Sequence, residues 1–246
     1  MEAIASSDAP YPDLEHTLLV TDVGQLILWG QQRRGEAITP SDWLHVIVAL
    51  LFHDVGYVKG SCADDRPQRR EMVTAQTGFS VVHLPTGATD AWLTPYHVDR
   101  SQRAVAEQVA KLRPEQRALL NLERIQQAIE RTRFPVPAEP AYDEIADEPG
   151  LCRAADLIGQ LSDRRYLQKL PALFREFQET GSAATFNYRS ADDLRAAFPN
   201  FFWTIAYPYL TAGIAALKMT ELGQEIVQQL FDNVEQATPQ PISYAL

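Results

Sequence analysis

The chain has 246 residues, 46% of them hydrophobic and 22% charged, with a net charge of −10. That length buries a full core without disulfide staples, and the balance excludes a disordered or fibrous chain. The acidity excludes duplex nucleic acid as an expected partner, since long polyanions are repelled; small phosphorylated compounds stay open because a bound divalent metal inverts the local field.

Residues 1–10 read as a loose start. From Asp13 the pattern becomes helical, with Leu19, Val23, Leu26 and Ile27 at three- and four-residue steps and Val20 widening the stripe. Gly30 and the stretch Gln31 to Glu36 are expected to end it. Thr39 caps the next helix, Pro40 suits its first turn and Asp42 sits at its positive end. Trp43 to Phe52 is apolar nearly all round, which marks a central helix. Gly56 ends it as a residue tolerant of the left-handed cap.

Residues 57–96 are punctuated by Gly60, Asp64–Asp65, Pro67, Gly78, Pro85, Gly87 and Pro95. Excursions of this length are usually lids or binding loops, and a short helix is expected around Gln68 to Gln76. Helices resume near Arg100, with Asp99 as N-cap and Gln102 at capping-box spacing. Pro114 opens another, expected to reach about Thr132. After Pro135, Pro137 and Pro140, Asp147 or Glu148 leads into a long amphipathic helix through Leu151, Ala155, Ile158 and Leu161. Pro171 interrupts or kinks it, and it continues to about Gln178. The aromatic cluster Phe198, Phe201, Phe202, Trp203, Tyr207 and Tyr209 reads as core or oligomer surface, and a last helix covers about Thr220 to Gln236. No run alternates as a strand would. The expected fold is all-α, with a metal-binding helical domain at 11–180 and a helical extension at 181–246 packed on the same core.

The chemistry concentrates at His53–Asp54, at the end of the apolar helix. Imidazole and carboxylate together suit a first-row divalent metal. His16 shares the inward face of Val20, Val23 and Ile27. Asp156 lies on the apolar stripe of the long helix, where an isolated carboxylate is costly and calls for a partner. Three helices thus deliver His16, His53–Asp54 and Asp156 to one buried point. The structural alternative is a buried His–Asp hydrogen bond. His45, two turns before His53, reads as structural.

Glu15-His16, then Leu51-Phe52-His53-Asp54-Val55-Gly56, then Ala154-Ala155-Asp156 resemble the H…HD…D signature of the HD-domain metal-dependent phosphohydrolases, over roughly residues 13–165. The resemblance implies an HD-domain helical bundle with metal ligands His16, His53, Asp54 and Asp156. It also implies one or two divalent ions (Mn, Fe, Mg, Ni or Zn) and hydrolysis of phosphomonoesters or phosphodiesters, commonly of nucleotides. Multi-metal members carry further histidines after the HD pair, for which His97 and His83 are candidates. Where the cyclic-dinucleotide-cleaving branch has lysine three residues after the aspartate, this chain has Tyr57, with Lys59 two residues later.

The expected mechanism is metal-assisted hydrolysis, with Asp54 bridging if two metals bind. Lys59, Arg100 and Arg103 are the expected phosphate contacts. An iron-dependent oxygenase on the same scaffold, using His83 and His97, is one alternative; a non-catalytic metal- or nucleotide-binding regulator is another. Cys62 and Cys152 suggest neither a disulfide framework nor a zinc cluster. A cytoplasmic location is the plain reading: no signal peptide is visible, and Val46 to Phe52, the longest nearly apolar run, is too short to span a bilayer. A small phosphorylated substrate is the expected partner, no membrane is expected, and a homo-oligomer is left open.

Overall fold

The computed structural model describes residues 2–5, 7–11 and 14–238. The expected helix start at Asp13 and residues 239–246 of the expected extension lie outside them. The fold is all-α: among the described residues one two-stranded sheet interrupts the helices.

Helix α1 (Leu14–Arg33) buries His16, Thr17, Val20, Val23 and Ile27 along one face, as its periodicity predicts. It passes through Gly30, whose helix penalty of roughly 1 kcal/mol is offset by burial. Helix α2 (Pro40–Phe52) starts with a capping box, Thr39 accepting from the Asp42 N–H and Asp42 accepting from the Thr39 N–H. Helix α3 (His97–Lys111) and helix α4 (Leu122–Arg131) flank it.

Helix α5 (Glu148–Leu161), capped by Asp147, packs most extensively against α1. Gly159 permits this approach, because a Cβ there would lie 2.8 Å from the Val20 Cα. This contact sets His16 on α1 facing Asp156 on α5, since Val20 and Gly159 lie about one helical turn beyond each.

Helices α6 (Tyr166–Thr180), α7 (Ala191–Phe201), α8 (Tyr207–Leu217) and α9 (Glu221–Ala237) are the remaining long helices, with single-turn helices at Glu2–Ala5, Pro114–Arg117 and Ser182–Thr185. One apolar core runs from Val20 to Ala237, so the later helices share it with the earlier ones. Phe198 and Phe202 are in this core, whereas Trp203 is about half exposed.

Several boundaries differ from expectation. The helix expected at 68–76 is reduced to one 3-10 turn, Pro67–Arg69. After it, strand β1 (Glu71–Val73) pairs antiparallel with strand β2 (Val81–His83). Met72 and Val73 are both buried, but in different clusters: Met72 with Leu84 and Leu93, Val73 with Val55, Val58 and Ala104. Successive residues facing opposite ways is what a strand provides. Asp99 does not cap α3, which begins at His97; it pairs with Arg133 at 3.2 Å.

The helix from Pro114 stops at Arg117, and Asn121 caps α4 afresh while its N–H donates to His45 Nε2 at 2.7 Å. The break expected at Pro171 comes earlier, at 162–165. There Asn233 donates to the carbonyls of Leu161 and Asp163 and so satisfies the end of α5. Pro171 sits inside α6. Cys62 and Cys152 are both free and buried.

Candidate metal centre

Helix α2 ends at Phe52, and His53 keeps helical backbone angles (φ −55°, ψ −34°). Asp54, at φ −107° and ψ 0°, turns out of the helix. Neighbouring side chains on a regular helix diverge by about 100°, so this departure lets the two meet.

The meeting point is shared by two other helices. His16 Nε2 lies 3.4 Å from His53 Nε2, 3.3 Å from Asp54 Oδ2 and 3.4 Å from Asp156 Oδ1. His53 Nε2 is 3.3 Å from Asp54 Oδ2 and 3.4 Å from Asp156 Oδ1. The ligand atoms of His16, His53 and Asp54 all fall within 4.8 Å of one another. The four side chains are between 1% and 16% exposed.

His53 Nδ1 lies 2.6 Å from the Leu50 carbonyl oxygen. That contact places the hydrogen on Nδ1, so Nε2 of the neutral ring is a bare lone pair. It faces another imidazole nitrogen and two carboxylate oxygens. Four such atoms buried together require protons or a cation between them. Two imidazoles and two carboxylates fit a first-row divalent ion, and a backbone carbonyl holding the far nitrogen is how metal-bound histidines are oriented.

In the metal-free protein, protons fill that place. Burial alone pushes His16 down, but the Asp156 and Asp54 carboxylates outweigh it and raise it to about 9. His53 rises well above the usual imidazole range for the same reason. Burial likewise pushes the two carboxyls up, and the imidazoliums more than reverse it. Asp54 is held well below the usual range and Asp156 below it.

These directions predict a pH profile. A raised histidine stabilises fully below its unfolded value of 6.5, and that stabilisation is lost as pH rises through about 9. For His16 this is on the order of 3 kcal/mol. The depressed carboxylates stabilise above 3.8 and lose that contribution as pH falls through their folded values. Metal-free protein therefore melts highest near about pH 5 and progressively lower toward pH 9. A divalent cation takes the place of two protons, so metal affinity rises over the same interval and binding releases protons. Melts in EDTA across this range, with calorimetry in buffers of different ionisation heat, measure both. Flat melts with no proton release would contradict the cluster.

A family model matches residues 1–239, nearly the whole chain. The chain belongs to the Npun_R2479-like family. No curated protein and no solved structure matches it. The match takes in all four converging residues and helices α1 to α9.

Around the centre of this Npun_R2479-like protein, the other expected site residues separate. His97 is beside it: Nε2 is 3.9 Å from Asp54 Oδ1, the oxygen that His16 and His53 do not use. Thr94's carbonyl holds its Nδ1 at 2.6 Å, and its ring stacks on Tyr57 at 4.2 Å. Burial holds His97 below the usual imidazole range, with Asp54 opposing only in part. His83 is not brought in. It is an exposed residue of β2, 3.3 Å from Glu71, because the segment forms a hairpin with that side chain outward.

The expected phosphate contacts are all engaged within the protein. Arg100 is wholly buried and fully used: it donates to the carbonyls of Gly56, Val58 and Val73, to Ser61 Oγ and to both oxygens of Asp65. It ties the 55–73 segment to α3. Gly56 lies under it, needed for proximity and not for a left-handed turn: a Cβ there would sit 1.9 Å from the His97 carbonyl oxygen. Arg103 pairs with Asp64 at 2.5 Å and Glu107 at 2.9 Å. Lys59 donates to Asp8 at 2.8 Å and to the Ala88 carbonyl at 3.1 Å, and lies 3.4 Å from Asp90.

Three residues near the centre escaped the sequence. Tyr57, half-buried, has its phenol raised well above the usual range by burial, and the charges of Asp54, Glu176 and Asp156 push it further. Glu176, buried on α6, is pushed up to about 8 by burial, with Asp54 adding to it. Tyr11 is buried too, and its N–H donates to Glu176 Oε1 at 2.8 Å. A glutamate among apolar helix positions was the available signal for Glu176; nothing local marks the tyrosines.

Proposed function

We propose that this protein is a metal-dependent phosphohydrolase acting on a small phosphorylated compound, a nucleotide being the favoured class. The observation that carries the reading is the buried convergence of two imidazole nitrogens and two carboxylate oxygens, 3.3–3.4 Å across each His–Asp contact. His16, His53, Asp54 and Asp156 are the residues that would hold the metal. The H…HD…D resemblance supports the same assignment and the HD-domain reading. A bound divalent ion supplies a water acidic enough to ionise near neutral pH and draws charge from a phosphoryl oxygen.

The chain's own residues divide the remaining roles. His53 is oriented by Leu50. His97, its Nδ1–H given to Thr94, presents a bare Nε2 lone pair on the far side of Asp54, which would hold a second ion or accept a hydrogen bond from a water or a substrate hydroxyl. With Lys59, Arg100 and Arg103 all engaged in ion pairs, phosphate recognition falls to the metal and to neutral donors. The oxygenase alternative retains one of its two extra histidines, since His83 is on the exposed hairpin.

The test is direct. Purified protein is analysed for metal and assayed on p-nitrophenyl phosphate and its bis-ester with Mn²⁺, Mg²⁺, Ni²⁺ and Fe²⁺. Metal binding with turnover of at least one ester is expected. Dioxygen consumption without hydrolysis would move the reading to an oxygenase, and tight metal binding with neither activity to a regulator.

A further inference from the structure

In a regular helix each N–H bonds the carbonyl four residues back. Had α2 run on past Phe52, the Gly56 N–H would bond the Phe52 carbonyl, and the His53 carbonyl would take the Tyr57 N–H. The chain does otherwise. The Gly56 N–H donates to Ser101 Oγ at 2.9 Å, and Ser101 Oγ donates to the His53 carbonyl at 2.6 Å. The Tyr57 N–H goes to the Asp54 carbonyl at 3.0 Å. One hydroxyl on α3 thus takes up two backbone groups that would have carried α2 a turn further.

Ser101 is an unusual choice for its own helix. It is fully buried, in the second turn of α3. A serine inside a helix commonly returns its hydroxyl to the carbonyl four residues back, here that of His97. Ser101 donates instead to a segment 48 residues away in the chain. Helix ends leave N–H and carbonyl groups without partners, and such groups are costly when buried. A serine hydroxyl is a small group that accepts from one and donates to the other.

The effect falls on Asp54. Its backbone takes φ −107° and ψ 0°, while His53 keeps helical angles. On a continued helix the two side chains would diverge by about 100°. As built, Asp54 Oδ2 lies 3.3 Å from His53 Nε2 and 3.3 Å from His16 Nε2. The residues beside Ser101 on α3 meet the same turn: Arg100 Nε donates to the Gly56 carbonyl at 2.6 Å, and His97 Nε2 is 3.9 Å from Asp54 Oδ1.

We propose that Ser101 is a positioning residue of the metal centre: by ending α2 between His53 and Gly56, it turns the Asp54 carboxylate toward the point where His53 and His16 converge. The inference rests on the metal-site reading above. Without the hydroxyl, the two orphaned groups find partners when the helix runs on, with the Gly56 N–H on Phe52 and the Tyr57 N–H on His53. That withdraws Asp54 from both imidazoles.

Full-length wild type, Ser101→Ala and Gln102→Ala are compared. Gln102, the next residue on α3, is also buried and donates to Glu130 at 2.6 Å, so its loss weakens α3 without touching the His53 turn. Ser101→Cys, which keeps a side chain with only weak hydrogen bonding, takes the place of Ser101→Ala if the alanine variant does not fold. Calorimetric titration with Mn²⁺ is expected to show affinity about tenfold lower or worse in Ser101→Ala, the range for residues that orient metal ligands, and wild-type affinity in Gln102→Ala. The visible absorption of Co²⁺-loaded protein shifts in Ser101→Ala and matches wild type in Gln102→Ala. In metal-free protein, the coupling between the amide and Cα protons of Asp54, large at φ −107° and small at helical φ, falls when the hydroxyl is lost. Unchanged Mn²⁺ affinity or an unchanged coupling in Ser101→Ala overturns the proposal. So does an equal loss of affinity in Gln102→Ala, which would tie the loss to stability alone. If wild type binds neither Mn²⁺ nor Co²⁺, the metal reading fails instead, and the Asp54 coupling still decides whether Ser101 sets the turn.

Discussion

Asp54→Ala is expected to abolish the proposed metal-dependent hydrolysis and to weaken divalent-metal binding by at least about 100-fold. The magnitude follows from structural zinc sites, whose apparent binding energy of roughly 10–16 kcal/mol is shared over four ligands, or about 3 kcal/mol each. Asp54 has more to lose than an average ligand. Oδ2 is the shared neighbour of both histidines, at 3.3 Å from each, and Oδ1 faces His97 at 3.9 Å. The substitution also removes one of the two charges that raise His16 and His53, so the metal-free variant loses much of the steep pH dependence of its melting. Calorimetric titration with Mn²⁺ and melts at pH 5 and 9 read both effects. Wild-type affinity in the variant would remove Asp54 from the site.

Arg100→Met destabilises the fold instead of impairing catalysis selectively. The side chains of Arg100 and Asp65 are both 0% exposed and bonded at 2.9 Å. Asp65 also accepts from the N–H groups of Gly60, Cys62 and Val73. Removing one partner of a buried pair leaves an uncompensated charge and costs about 3–5 kcal/mol. For a chain of this size that lowers the melting temperature by roughly 10 °C. Urea unfolding measures it. A variant with wild-type stability and lost turnover would return Arg100 to the phosphate role that the sequence suggests.

The difference between these two residues shows what a sequence carries. Asp54 stands out locally: it adjoins a histidine, ends an apolar helix, and precedes a glycine. His16 and Asp156 stand out by period, since each falls on the apolar stripe of its own helix, and the structure brings both stripes to one point. Arg100 has an equally suggestive position beside His97, yet its partners are 27 to 44 residues distant in the chain. No local pattern distinguishes an arginine that awaits phosphate from one that clamps a loop. The hairpin at 71–83 was hidden for a related reason. Strands of three residues are too short to show alternation, and the two faces of β1 are defined only by the separate clusters that receive Met72 and Val73.

The sequence by itself determined the all-α class, the helix cap at Thr39, the inward faces of α1 and α5 and the identity of four converging residues. These depend on hydrophobic period and on capping groups within a few residues, which are local properties. Only the tertiary structure decided that Lys59, Arg100 and Arg103 are engaged, that His83 is remote from the His–Asp cluster while His97 is close, and that Glu176 holds the Tyr11 N–H. Those facts are pairings across tens of residues, settled by which buried polar groups find partners when the helices pack.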